Sequence, residues 1–151
     1  MRVRLSFAEA HVLEQLFVEL QDLLEPGSLD PADPVHVRLY PAAYDDDRAA
    51  ADYREITEEG LHRERSDRLD TCLDELRSAR SVMRTEVVLD RDAADRWMRV
   101  LNDLRLTFGT RLEITEDDDH TLDPDDPDVQ SRARYVWLTA LQDLLVTTLM
   151  G

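Results

Sequence analysis

The sequence has no lysine, a single cysteine and only four glycines among its 151 residues. The lone cysteine, Cys72, excludes a disulfide within one chain and is compatible with a reducing compartment. No segment approaches the roughly 18 consecutive apolar residues that a membrane-spanning helix requires, and no apolar run marks a signal peptide at the N-terminus. We therefore expect a cytoplasmic protein without a membrane-spanning segment.

Positive charge is scarce, because 18 arginines stand against 34 acidic residues and give a formal net charge of -16. Extended contact with a nucleic-acid duplex relies on basic side chains that replace phosphate counterions. The charge balance therefore argues against direct nucleic-acid binding. Any role in transcription is expected to require a protein partner.

The length and the 42% hydrophobic content fit a single helical domain, residues 1–151, with a core of its own. The predicted fold is mainly α, an irregular bundle of four or five helices with at most a short two-stranded β element. An acidic loop, residues 116–128, lies within this domain.

Three segments carry apolar residues at helical spacing and are predicted to share one core. The first begins with a capping box formed by Ser6 and Glu9. Asp90 is the predicted cap of the second, and Asp126 with Pro127 begins the third. The two tryptophans of these stripes, Trp97 and Trp137, are predicted to be largely buried. The stripes run from Leu13 to Leu24, from Trp97 to Phe108 and from Trp137 to Thr148.

The segments between these helices give weaker signals. The alternation of apolar residues from Val35 to Leu39 predicts a short extended piece, with which the N-terminal "MRVRL" is a candidate to pair. The "TEVVLD" stretch is predicted as an extended connector. A helix is expected from Asp46, with a break or kink at Gly60 and a long charged helix after it.

The stretch "LNDLRLTFGTRL", residues 101–112, places charges beside an apolar stripe. Asp103 points away from the stripe and is expected to face solvent unless another chain covers it. Arg105 lies about 60° from the centre of the stripe, so its guanidinium should reach a carboxylate on another helix. Gly109 is either a helix terminus, which is the preferred interpretation, or a point of close approach. The candidate carboxylates for Arg105 are those of Glu9, Glu14 and Asp143.

Catalytic and metal-binding patterns are sparse. Glu59 and His62 form half of a di-iron carboxylate motif, but a second copy is missing and Gly60 interrupts the pair. The acidic loop lacks the spacing and the glycine of a calcium-binding loop. The sequence therefore predicts no metal, no cofactor and no catalytic residue. The histidines lie in separate segments without a nucleophile motif beside them: His11, His36, His62 and His120.

Cys72 is the redox candidate. It shares the apolar face of a predicted helix with three leucines, and Asp74 and Glu75 are near it in sequence. Burial and negative charge would both raise the pKa of its thiol, which favours a small core residue over a reactive one.

The stretches "WMRVLNDLRLTFGTRL", "RLYPAAYDDDRAAADYREI" and "ARYVWLTALQDLLVTTL" resemble an actinobacterial family, long classed as a domain of unknown function, that includes an oxidative-stress regulator. The resemblance covers nearly the whole chain. The family-like positions are Arg38, Tyr40, Pro41, Tyr44, Trp97, Asn102, Asp103, Arg105, Gly109, Trp137 and Gln142. Seven of them are candidates for partner binding or structure: Arg38, Tyr40, Tyr44, Asn102, Asp103, Arg105 and Gly109.

The resemblance implies a non-enzymatic regulator of oxidative-stress transcription that works through a protein partner, an alternative sigma factor. Cys72 stands alone here, which departs from a two-cysteine thiol switch and leaves a disulfide between chains, in a homodimer, as an open alternative. A second class also stays open: a small enzyme or metal-binding helical protein with a site that the sequence does not show. A concave pocket with convergent polar groups of shifted pKa would indicate an enzyme.

Overall fold

The computed structural model of the chain describes residues 1–40, 51–115 and 121–150, and of residues 51–58 the backbone alone. Within these residues it has five helices and a two-stranded antiparallel sheet, which confirms the predicted mainly α fold. The elements are β1 (Arg2–Ser6), α1 (Phe7–Leu23), α2 (Pro34–Leu39), α3 (Ala51–Ala79), β2 (Arg84–Val88), α4 (Arg91–Arg111) and α5 (Val129–Met150).

The N-terminal strand pairs with β2 and not with residues 35–39, so the predicted pairing is wrong. In the observed register Arg2 lies opposite Val88, and Ser6 lies opposite Arg84. The strand β2 falls on the segment that was predicted as an extended connector. The inner face of the sheet covers the core with side chains that are almost fully buried, Val3, Leu5, Thr85 and Val87.

Residues 34–39 form a helix because their local signals favour one. The Asp33 carboxylate accepts a hydrogen bond from the Val35 amide at 2.8 Å, and Pro34 occupies the first turn. Val35 and Leu39, four residues apart, are then buried on one helical face. Apolar alternation alone did not separate this pattern from that of a strand.

The predicted caps of α1 and α4 are confirmed, whereas the predicted start of α5 is wrong by two residues. The Ser6 hydroxyl accepts from the Glu9 amide at 3.1 Å, and the Glu9 carboxylate accepts from the Ser6 amide at 2.9 Å, which completes the capping box of α1. Asp90 caps α4 by accepting from the Ala93 amide at 2.8 Å. The helix α5 begins at Val129, two residues after the predicted first position.

The long helix α3 runs through Gly60 without a break, contrary to the prediction. A glycine inside a helix costs about 1 kcal/mol relative to alanine, which is small beside the packing of the rest of the helix. The predicted cap at Asp46 lies outside the described residues. Of the predicted acidic loop, residues 116–120 also lie outside them, and residues 121–128 form turns and loop before α5.

Buried side chains of α1, α4 and α5 belong to one hydrophobic cluster, as predicted, together with residues of α2, α3 and both strands. Trp97 is fully buried and packs edge-on against Phe17 with ring centroids 5.6 Å apart. Trp137 is only partly buried, and its indole N–H donates to the Glu9 carboxylate at 3.1 Å. No described helix has the length and apolar character needed to cross a membrane.

Candidate functional site

A groove with a cavity volume of about 640 Å³ opens where the end of α1, the loop after it, α2 and the middle of α3 meet. We call it the α1–α2–α3 groove. Its lining combines apolar side chains, including those of Leu24, Leu29 and Leu69, with imidazole, phenol and charged groups. The polar residues of the lining include His36, Tyr40, Glu59, His62, Arg63, Ser66 and Asp70.

Three rings of the groove lining lie close together. Tyr40 follows the last residue of α2, is 3% exposed, and has its hydroxyl oxygen 2.9 Å from Nδ1 of His62. With the ring proton on Nε2, Nδ1 of His62 accepts a hydrogen bond from the Tyr40 hydroxyl. The ring centroid of Tyr40 lies 5.0 Å from that of His36 and 6.1 Å from that of His62.

Behind these rings, Arg65 of α3 ties three helices together. Its guanidinium donates to the Asp103 carboxylate of α4 and, at 2.7 Å, to the Leu39 carbonyl of α2. It also lies over the Tyr40 ring, 5.3 Å from the centroid. The family-like residues Tyr40 and Asp103 therefore meet through a residue that the sequence did not single out.

Asp103 is 5% exposed, so the expectation that it faces solvent is wrong. It does point away from the apolar stripe of α4, but α2 and α3 cover that side. Burial raises the pKa of the Asp103 carboxyl, and the charge of Arg65 opposes this rise. The guanidinium of Arg65 offsets the free-energy cost of burying the charged carboxylate of Asp103.

The guanidinium of Arg105 contacts an amide and an aromatic ring, so the prediction that it reaches a carboxylate is wrong. Its guanidinium donates to Oε1 of Gln142 on α5 and lies 5.8 Å from the ring centroid of Tyr135. Glu9 and Glu14 bind other groups, and Asp143 is exposed. The guanidinium still sits at the rim of the apolar stripe, as the helical spacing indicated.

Gly109 marks a close approach and not the end of α4. A Cβ atom there would lie 3.1 Å from the Tyr135 ring. The helix ends two residues later in a Schellman-type turn, in which the Ile114 amide donates to the Gly109 carbonyl at 2.9 Å. Glu113 supplies the left-handed residue of this turn, with φ of 55°.

The remaining family-like residues do not join these clusters. Arg38 on α2 and Asn102 on α4 are exposed. Pro41 and Tyr44 lie outside the described residues. The sequence missed Arg65 because nothing local separates it from the other arginines of α3.

Cys72 is fully buried in the core. Burial and then the charge of Glu75 raise the pKa of its thiol to about 12. Little thiolate exists at neutral pH, so the geometry favours the core interpretation of this residue.

The groove has the concave shape of a binding site, with Glu59 and His62 on its wall. In the described part of the chain, no set of three or more potential ligands is placed to hold a metal ion. Among the residues that the structure describes, the groups whose pKa is shifted, namely Glu9, Glu14, Cys72 and Asp103, are not part of the groove lining. Its mixture of hydrogen-bonding and apolar lining residues is suited to holding a peptide side chain or a small ligand.

Comparisons with known proteins show kinship over the whole length of the chain. The chain is similar to the oxidative stress regulator AosR of Mycobacterium bovis and to that of Mycobacterium tuberculosis, with 34% identity over 134 residues in each case. The matched region is 80% of this chain, and it spans 60% of the length of each of these relatives. No solved structure matches the chain. Residues 1–149 match the family described as "Domain of unknown function (DUF2017)", and the chain therefore belongs to that family.

Proposed function

We propose that this protein is a non-enzymatic regulator of the oxidative-stress response that acts through a protein partner, and that the partner is an alternative sigma factor. The observation that carries the proposal is the similarity to AosR, a relative named as an oxidative stress regulator. The sigma factor follows from the family resemblance of the sequence and is part of the proposal.

The charge of the chain supports action through a protein. A formal net charge of -16 repels the phosphate backbone, which basic side chains would have to neutralise. Purified protein is therefore expected to give no shift of promoter DNA at about 150 mM salt with competitor DNA present. A specific shift under these conditions would contradict the protein-partner route.

The α1–α2–α3 groove is the docking site that we propose for this partner. Its rim carries Glu25, Glu59 and Asp70 against one base, Arg63, so it suits an apolar segment with a basic residue. Charge complementarity of this kind selects partners and speeds their association.

Affinity purification from the native host, with and without peroxide treatment, tests both the partner and the site. Glu59→Arg reverses a charge in the groove. Its matched control is Glu64→Arg, which makes the same change at an exposed residue of α3 outside the groove lining. We expect Glu59→Arg to lower partner recovery about tenfold, an effect of the size that one interface charge produces, and Glu64→Arg to preserve it.

Two results would count against the proposal. Equal recovery with both variants would remove the groove as the docking site. If no transcription component copurifies under either condition, the proposal that the partner is a sigma factor is contradicted.

A further inference from the structure

The strand β2 presents one edge that no described backbone group pairs with. Met1 and Leu89 continue the β1–β2 ladder, because the Leu89 amide donates to the Met1 carbonyl at 2.8 Å and the Met1 amine donates to the Leu89 carbonyl at 3.1 Å. Hydrogen-bonded pairs alternate along an antiparallel ladder, so the next pairs are Val3 with Val87 and Leu5 with Thr85.

The residues between those pairs direct their backbone groups away from the sheet. On β2 they are Arg84, Glu86 and Val88, which together offer three amides and three carbonyls along one edge. On β1 the corresponding amide of Ser6 is already bound by the Glu9 carboxylate. The edge of β2 is therefore the longer of the two.

Several apolar side chains around this edge are largely exposed to solvent. Val88 is 66% exposed, and Val82 and Met83, which precede β2, are 86% and 84% exposed. Phe7, next to Ser6 at the same end of the sheet, is 51% exposed. Exposed apolar residues on an unpaired edge invite another strand to pair there.

The outer face of the sheet is basic although the molecule is strongly acidic. Arg2 and Arg4 lie 3.2 Å and 3.4 Å from Glu86 oxygens and share that one carboxylate. Arg84 has no ion pair within the described part of the chain. The outer face of the sheet therefore carries three arginines and one glutamate. Its net charge is positive, although the whole chain has a net charge of -16.

We propose that the β2 edge binds an extended acidic segment of a protein partner, which adds to the sheet as a third strand. Main-chain hydrogen bonds would supply affinity, and an acidic side chain opposite Arg84 with an apolar one opposite Val88 would supply specificity. A second copy of this chain is a poorer occupant, because each copy carries the same large negative charge.

This surface is separate from the α1–α2–α3 groove. The sheet lies at the N-terminal end of α1 and the groove at its C-terminal end, about 25 Å along the helix. The proposal therefore does not depend on which process the protein regulates.

The test uses a synthetic capped peptide of about seven residues, Thr-Val-Thr-Val-Thr-Asp-Thr, added at millimolar concentration to the full chain. In antiparallel pairing with β2, its Asp lies opposite Arg84 and its first Val lies opposite Val88. Amide hydrogen exchange and amide shifts are followed by nuclear magnetic resonance. We expect protection at Arg84, Glu86 and Val88 and none at Arg2 or Arg4. A matched peptide with Lys in place of Asp should bind about twofold to fivefold more weakly, the ratio expected from one cross-strand ion pair.

Two proline variants separate the edges. Glu86→Pro removes an outward amide of β2 and costs no ladder bond, so the sheet should survive and peptide binding should be lost. Arg4→Pro makes the matched change on β1 and should preserve binding. If Glu86→Pro fails to fold, the exchange pattern of the unmodified chain decides alone.

Several results would overturn the proposal. Protection at Arg2 and Arg4, or in the groove residues, would place the binding elsewhere, and no protection at any residue would leave the edge without a ligand. Equal binding of the Lys peptide would exclude an acidic segment. Self-association at the β2 edge in the absence of peptide would make a second copy the occupant. All of these readouts are independent of the partner-recovery experiment.

Discussion

At the scale of single residues, Cys72 shows how the surroundings of a thiol determine its reactivity. Desolvation is the largest cause of its raised pKa, and Glu75 adds to the rise. The opposing charges of Arg96 and Arg68 are smaller. A disulfide between two chains would require this fully buried side chain to leave the core.

We therefore predict slow alkylation of Cys72 in the native protein. A rise from 9.0 to about 12 lowers the thiolate fraction about a thousandfold. Iodoacetamide at about pH 8 should react at least about a hundredfold more slowly with the folded chain than with the chain unfolded in urea. The signal is unambiguous because the sequence has one cysteine. Similar rates in both states would contradict the assignment of Cys72 to the core and favour a redox role.

Asp103 illustrates that the burial of a residue cannot be predicted from its position on its own helix alone. The helical wheel correctly separates Asp103 from the apolar stripe of α4, because side-chain direction follows from backbone geometry. It does not say what covers that side of the helix. Arg65 approaches from 38 residues earlier in the sequence, and only the packing of α3 against α4 brings the two charges together.

At the scale of elements, Arg65 and Arg105 each join neighbouring helices through hydrogen bonds, but the groups that accept these bonds differ in charge. Arg65 joins α3 to the end of α2 and to α4, and Asp103, its partner, is charged and buried. Arg105 joins α4 to α5 through Gln142, which is neutral. Removing the cation strands a carboxylate in the first case and an amide oxygen in the second.

We predict that Arg65→Met destabilises the fold by about 3 to 5 kcal/mol at neutral pH, because Asp103 keeps an uncompensated buried charge. The matched variant Arg105→Met should cost about 1 to 3 kcal/mol, the range for a hydrogen bond to a charged group. Urea unfolding at about pH 7 measures both free energies.

The loss in Arg65→Met should shrink at about pH 5, since the abandoned carboxyl can then bind a proton. Equal losses in the two variants at both pH values would show that the ion pair contributes no more than the neutral contact.

Helix starts that are set by a local capping hydrogen bond were predicted correctly. A segment whose apolar pattern fits both a strand and a helix was not. The Ser6–Glu9 capping box and the Asp90 cap could be found from a few adjacent residues. Residues 35–39 could be a strand or a helix by their apolar spacing, and the Asp33 cap decides for the helix. The strand register was beyond reach, because β1 and β2 lie about 80 residues apart and nothing local encodes their pairing.

At the scale of the whole molecule, three acids among the described residues contribute to the pH dependence of stability with pKa shifts of opposite sign. Hydrogen bonds from the Ser6 backbone, the Ser6 hydroxyl and the Trp137 indole lower the pKa of Glu9. Hydrogen bonds and charge from Arg77 and Arg80 lower the pKa of Glu14 and tie α1 to the end of α3. Burial raises the pKa of Asp103.

The signs of these contributions differ. A carboxyl whose pKa is lowered by folding stabilises the fold above its unfolded pKa, near 4.5, and this contribution is lost as the pH falls through the folded pKa. Asp103 acts in the opposite sense, because its contribution is present at low pH and is lost as the pH rises through its raised pKa. Acid should therefore weaken the contacts between α1 and its neighbours while it relieves the charge of Asp103.

The variant Glu14→Gln isolates one of these contributions. We expect it to be less stable than the unmodified chain by about 1 kcal/mol at about pH 6, because Glu14 is partly exposed and water screens its ion pairs. The difference should decline as the pH falls below 4.5 and vanish once the pH lies below the lowered pKa of Glu14 in the folded chain, where both states are protonated at this residue. The matched control is Glu19→Gln on the exposed face of the same helix, which should leave the pH dependence unchanged. Thermal unfolding followed at several pH values gives the comparison. A stability difference that stays constant from about pH 6 to about pH 3 would mean that Glu14 contributes through packing and not through its charge, and the pH dependence would then have to come from other groups.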